Sequence, residues 1–128
     1  MKIFIPIKPM GAPRPRVTRN GTYNDLKYTN YKKAIALISN SKFKIPSNAP
    51  FFMKLDFFFE IPKSWSKAKK ESAKWHVFKP DSDNLAKGVK DALNGIAYVD
   101  DAQVCFLQIR KQYAQSEGIL IEIEEIMI

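Results

Sequence analysis

Asp81 and Asp83 stand two residues apart, Lys87 follows one helical turn later, and a second acidic pair, Asp100 and Asp101, precedes an alternating apolar run. Carboxylates at i and i+2 in a turning segment can converge on one ion. Oxygen ligands of this kind suit Mg²⁺ or Mn²⁺, which keep several waters and bind through a few carboxylates plus a substrate phosphate. If the strand after Asp100 and Asp101 lies beside the start of the helix, one of that pair completes the site. A metal so held polarises a phosphodiester and lowers the pKa of an attacking water. The Lys87 ammonium can then stabilise charge building on the phosphate oxygens. Each feature taken singly also has an ordinary structural explanation. Aspartates cap helices and face their dipoles, Asp83 and Lys87 form an i,i+4 pair, and two adjacent aspartates suit a polar turn. A calcium loop of the EF-hand type is excluded, because Leu85 and Ala86 stand where it needs an oxygen ligand and a glycine.

These acids sit in a basic chain. Of 128 residues, 21 are Lys or Arg and 13 are Asp or Glu, a net charge of +8. The distribution is uneven: residues 1–80 carry +13 and residues 81–128 carry −5. A basic surface beside an acidic patch favours a polyanionic partner such as nucleic acid. An apolar share of 45% with nine Phe predicts a single packed domain, 1–128, rather than disorder. One cysteine, Cys105, makes no internal disulfide and no zinc-spaced Cys/His cluster exists, so a reducing cytoplasm is expected. No apolar run approaches the roughly 18 residues of a membrane span.

The elements that must position the acids follow from periodicity. Lys2 to Ile7 alternates as a half-buried strand, followed by a proline-rich arm that splays Arg14 and Arg16 outward. Val17 to Tyr23 reads as a small hairpin about Asn20 and Gly21. A helix capped by Asn24, with Asp25 in its first turn, runs to about Asn40 and buries Tyr28, Tyr31, Ile35 and Ile38. Phe51 to Ile61 is the clearest strand, with Phe51, Met53, Leu55, Phe57, Phe59 and Ile61 on one face. Phe52 and Phe58 on the other face require cover from a helix or a second subunit. Pro62 to Lys79 is a long basic connection in which Ser66 caps a short helix through Ala73. Trp65 and Trp75 are expected to pack this connection onto the body, and His76 to be an exposed loop residue. The central helix starts at Asp81 or Ser82 and runs to about Asn94, with Leu85, Val89, Ala92, Leu93 and Ile96 inward and Gly95 at C′. Two strands close the chain: Val104 to Tyr113 with Cys105, Leu107 and Ile109 inward, and Gly118 to Ile126 with Ile119, Ile121 and Ile123 inward. The order β-α-β-α-β-β gives a small mixed α/β (α+β) sheet covered by two helices.

The combined pattern is more specific than its parts. Lys79-Pro-Asp81-Ser-Asp83-Asn84-Leu-Ala-Lys87, then Asp91-Ala-Leu-Asn-Gly and Asp100-Asp101-Ala-Gln-Val, resembles the RusA family of Holliday-junction resolvases. The resemblance extends to Pro13-Arg-Pro-Arg16, the hairpin ending at Tyr23, and Pro62-Lys-Ser-Trp-Ser66, and is nearest to phage and prophage members. It implies a homodimer that binds four-way DNA junctions and nicks two strands symmetrically with Mg²⁺ or Mn²⁺, with no small-molecule cofactor. By motif position Asp81, Asp83 and Asp101 match the metal aspartates, Asp100 the neighbouring acid, and Lys87 the essential lysine. Asn84 and Asp91 are expected to orient these groups from behind. The arm with Arg14, Arg16 and Arg19 matches the DNA-contacting N-terminal segment in place, and Lys63, Lys67, Lys69, Lys70 and Lys79 are expected to meet DNA. The alternatives are a branched-DNA-binding protein without catalysis, or a less selective nuclease of phage replication.

Overall fold

A computed structural model describes residues 1–13, 16–18, 21–23, 26–43 and 45–127, the short stretches 16–18 and 21–23 by backbone alone. Alternating Ile3 and Ile5 form β1 (Lys2–Ile5), and the predicted hairpin is present as β2 (Arg16–Thr18) and β3 (Gly21–Tyr23). There follow α1 (Leu26–Asn40), β4 (Phe51–Glu60), α2 (Lys67–Ser72) and α3 (Ser82–Ala92). A single 3-10 turn, Asp101–Gln103, leads into β5 (Val104–Ala114), and β6 (Gly118–Glu125) ends the order. The expected caps by Asn24 and Asp25, the turn residue Asn20, and Arg14 and Arg19 of the basic arm lie outside the described residues.

The main sheet has the order β1-β6-β4-β5, with β4 parallel to β5 and antiparallel to β6, which is antiparallel to β1. The parallel pair requires a crossover. The chain between residues 60 and 104 supplies it and carries α3, so the topology sets the acidic helix against the sheet. The core is one contiguous cluster built from Ile3 and Ile5, Met53, Leu55 and Phe57, Leu85, Val89 and Leu93, and Ile119, Ile121 and Ile123. Helices α1 and α3 cross closely at Gly88, where a Cβ would stand 3.2 Å from Tyr31 Cε2 and 3.4 Å from Tyr28 Cε1. The mixed sheet, the two covering helices and the short helix capped by Ser66 are as predicted. Ser66 Oγ accepts from the Lys69 N–H at 3.2 Å.

Four expectations are corrected. Ile38 is exposed and Ser39 takes the buried position, because the buried stripe of α1 turns one residue further by its last turn. Ile96 is half-buried; Ala97 and Tyr98 fill the core beyond α3 instead. The positive-φ residue Gly95 (φ 76°) falls two positions past the cap Leu93 rather than one. The largest departure is β5. Cys105 and Leu107 are exposed and Ile109 is half-buried, because β5 is an edge strand whose face toward α3 opens on a cavity rather than on packed side chains. No helix among the described residues covers the opposite face of the sheet. Phe4 and Phe106 are each about half exposed there, and Phe106 packs against Phe52 with ring centroids 5.1 Å apart. The same face holds a buried carboxylate, Asp56, which accepts from Arg110 Nε and, at 3.3 Å, from Gln112 Nε2.

Candidate functional site

The acids are gathered by the N-terminal half of α3 and by the turn that feeds β5. Asp81 stands at the N-cap position of α3, without a capping hydrogen bond from its side chain, and Asp83 lies in the first turn. Asp83, Lys87, Lys90 and Asp101 line one cavity of about 350 Å³ whose floor includes Ala86, Leu107 and Ile109. Residues almost 20 apart in sequence thus meet across the gap between α3 and the start of β5. Asp91 sits one turn below Lys87 and accepts from its Nζ at 3.1 Å. Tyr28 of α1 donates its hydroxyl to the same Asp91 oxygen at 3.2 Å. Burial pushes the Asp91 carboxyl up, but Lys87 and contacts with the side chains of Asp101 and Tyr28 outweigh it, so its pKa lies below the usual carboxylate value. Tyr98 lies wholly buried beneath the acids and donates to the Lys90 carbonyl at 2.7 Å. Burial, reinforced by the carboxylates of Asp101, Asp91 and Asp100, pushes its phenol far up.

The turn carrying Asp100 and Asp101 is held by Gln103. Its Oε1 accepts from the Val99 and Asp100 N–H groups at 3.0 and 2.9 Å. Its Nε2 donates to the carbonyls of Ser47 and Ala49, both at 2.8 Å. Asp100 completes a capping box by accepting from the Ala102 N–H at 3.3 Å. One member of the acidic pair therefore builds the turn while Asp101 faces the cavity. Gln103 was not singled out from the sequence, although Asp100-x-x-Gln103 is the spacing of a capping box and signals it.

The remaining predicted site residues fall around this centre. Asp81 is exposed and paired with Lys79 at 3.2 Å, and it does not line the cavity of Asp83 and Asp101. Asn84 is exposed, and its backbone carbonyl accepts from the Ala12 N–H at 3.1 Å, which docks the N-terminal arm beside the start of α3. Gly11 permits this approach, since a Cβ there would lie 2.8 Å from Pro80 Cβ. Arg16 begins β2. Lys67, Lys69 and Lys70 lie on α2, with Lys69 Nζ 4.1 Å above the Trp65 ring. Lys63 and Lys79 line a separate aromatic cleft, together with Trp65. Trp65 packs edge-on against Tyr113, as expected of a residue that seats the connection on the body, whereas Trp75 is 51% exposed. His76 is half-buried rather than free, stacked on Phe59 with centroids 3.8 Å apart.

Among the described residues no group of three His, Cys, Asp or Glu side chains is arranged to hold a metal. A Mg²⁺-type ion does not need three, since it binds through one or two carboxylates with substrate phosphate and waters. Asp83 and Asp101 fit that requirement: both donors are hard oxygens and they face a common solvent-open cavity.

Comparison with known proteins bears on this arrangement. The family model described as endodeoxyribonuclease RusA matches residues 6–124. A Bacillus subtilis (strain 168) protein, the uncharacterized protein YqaN, is 34% identical over 93% of this chain and 92% of its own length. The crossover junction endodeoxyribonuclease rusA of Lactococcus phage r1t is 32% identical over 76% of this chain and 72% of its own. The match spans the arm, the acidic helix, the Asp100–Asp101 turn and the last strand alike: the chain belongs to the RusA endodeoxyribonuclease family.

Proposed function

We propose that this chain is a divalent-metal-dependent endodeoxyribonuclease that resolves four-way DNA junctions by paired symmetric nicks. The observation that carries the reading is the convergence of Asp83 and Asp101 on one cavity beside Lys87, in a chain of this family. Asp83 and Asp101 would hold Mg²⁺ or Mn²⁺. Asp81, two residues before Asp83, is the third candidate once DNA phosphate draws Lys79 away from it. When bound, such an ion supplies Lewis acidity to the phosphate and an activated water. Lys87 offers an ammonium to the charge that develops on the phosphate oxygens, and Asp91 and Tyr28 fix its direction from below. Asp100 supports Asp101 through its cap, and Asn84 supports the docked arm through its carbonyl.

The basic surface that meets the phosphates is assigned to Arg14, Arg16 and Arg19 of the arm, Lys67, Lys69 and Lys70 of α2, and Lys63 and Lys79 at the cleft. We assign the partner as branched DNA and the acting species as a homodimer in the cytoplasm, since a two-fold junction cut symmetrically calls for a two-fold protein. A second reading, junction binding without cutting, is favoured by one feature: Asp81 faces Lys79 rather than Asp83 and Asp101. Labelled junctions incubated with Mg²⁺ or Mn²⁺ separate the two. The nuclease reading expects paired nicks near the branch, little cutting of linear duplex, and loss of cutting with retained binding in Asp101→Asn. Tight binding without nicks under either ion supports the second reading, and wild-type rates in Asp101→Asn overturn the site.

A further inference from the structure

An aromatic cleft open to solvent stands apart from the cavity of Asp83 and Asp101. Just ahead of α3 in the chain, and sharing no lining residue with the cavity of Asp83 and Asp101, this cleft has a volume of about 770 Å³. Its walls include Phe59, Trp65, His76, Phe78 and Tyr113. His76 stacks on Phe59 and lies against Tyr113 and Phe78, with centroids 5.2 and 6.2 Å away. Burial and the Lys111 charge hold the His76 pKa below 6.5, so at neutral pH the ring is an uncharged flat surface. Phe78 is 58% exposed at the edge of the cleft. The loop bearing it is no loose tail: the His76 N–H donates to the Lys111 carbonyl at 3.0 Å, and Lys111 Nζ donates back to the Phe78 carbonyl at 2.6 Å. Trp75 and Val77, also exposed, share a surface with Phe78, and a contiguous apolar patch on an anchored loop is the kind that marks a binding site.

The rim identifies the partner's chemistry. Lys8, Lys63 and Lys79 border the cleft, and a second cavity that shares Trp65, Phe78 and Tyr113 carries Lys69 and Lys74 beyond them. Aromatic faces bordered by cations are the surface that binds unpaired nucleotides, bases on rings and phosphates on lysines. Two carboxylates, Glu60 and Glu117, also line the cleft and can accept from the amino groups on base edges. Position matters as well. Lys79 and Pro80 belong to the cleft and the next residue is Asp81, so a nucleotide held here has its neighbouring phosphate directed toward the acidic end of α3.

We propose that this cleft holds a nucleobase that has left the helical stack at the branch of the DNA, its face against Phe78 and Trp65 and its flanking phosphates on Lys63 and Lys79. The inference rests on the junction-nuclease reading and adds to it a source of structure selectivity. Stacking one base on an aromatic side chain is worth roughly 5- to 150-fold in affinity. Extruding a base from intact duplex costs at least a comparable factor, and far less where the base is already unpaired or poorly stacked. A cleft of this kind thus rewards branch points over continuous helix without reading sequence.

The test is a double-mutant cycle of protein against DNA. Four-way junctions carrying a single abasic site, moved one nucleotide at a time around the branch, are titrated by fluorescence anisotropy in EDTA with wild type, Phe78→Leu and Trp65→Leu. At one or more branch positions, loss of the base is expected to weaken wild-type binding by about 5-fold or more. Phe78→Leu is expected to weaken binding of the intact junction by a similar factor, and the two losses combined should not exceed either alone. Losses that multiply, or no sensitive position, overturn the cleft. A measurement without any variant guards against misfolding: junctions with 5-iodouracil at the branch should photo-crosslink wild type at Trp65, His76, Phe78 or Tyr113, and crosslinks confined to α2 overturn the proposal. If wild type binds linear duplex as tightly as the junction, it is the junction reading that fails. If junction preference persists with independent losses, the cleft alone fails.

Discussion

Gln103 shows how little separates an acid that builds from an acid that acts. Its amide makes four hydrogen bonds, two from the Val99 and Asp100 N–H groups and two to the Ser47 and Ala49 carbonyls, and so ties the Asp100–Asp101 turn to the segment before β4. Gln103→Leu removes all four and leaves two N–H groups and two carbonyls to find water. The expected cost is roughly 1–3 kcal/mol in urea unfolding, with weaker Mn²⁺ binding measured by electron paramagnetic resonance. Unchanged Mn²⁺ affinity at reduced stability would make Gln103 purely structural. At this scale the sequence was half legible. The types and spacing of Asp81, Asp83, Lys87 and the Asp100–Asp101 pair pointed to an oxygen-donor site, and the structure brings Asp83, Lys87 and Asp101 to one cavity while leaving Asp81 outside it. Pairing of Asp81 with Lys79 could not be read, because a two-residue ion pair across Pro80 depends on backbone angles that no periodicity encodes.

At the scale of elements, the connection between α2 and α3 is tied to the sheet edge rather than loose. Tyr113 N–H donates to the Lys74 carbonyl at 2.8 Å, and Trp75 bridges to Gln112, so β5 gains a short added strand. His76 is the titrating group in that seam. Its folded pKa lies below 6.5 through burial first and the Lys111 charge second, so the native state binds the proton less readily than the unfolded chain. Its contribution to stability is therefore complete above pH 6.5 and declines as the pH falls below 6.5 toward the folded value. His76→Phe keeps a ring on Phe59 and removes the proton. The drop in urea midpoint between pH 7.5 and 5.5 should shrink in this variant, and an undiminished drop would assign it to other groups. Strands β4 and β6 were plain in the sequence because alternation over eight to ten residues has one buried solution. Strand β5 alternates equally well, yet alternation does not say whether a face is covered. Only the parallel pairing with β4 puts it at the edge, where Leu107 and Ile109 border the acidic cavity.

The whole molecule presents different chemistry on its surfaces: an acidic end of α3, a lysine-bearing helix α2, an aromatic cleft, and a sheet face bearing Phe4, Phe52, Phe58 and Phe106. For the homodimer proposed above, we assign the contact to the phenylalanine face, since aromatic residues are enriched in interface cores. Light scattering should give about twice 14.7 kDa for wild type and a single copy for Phe106→Glu. A Phe106→Glu protein that stays paired would move the interface elsewhere. All of this depends on Asp83 and Asp101 gripping one cation. Anomalous diffraction from crystals grown with Mn²⁺ tests that most directly. The expected result is a peak about 2.0–2.3 Å from a carboxylate oxygen of each residue, lost in Asp101→Asn. A peak elsewhere, with the cavity between α3 and β5 empty at saturating Mn²⁺, would contradict it.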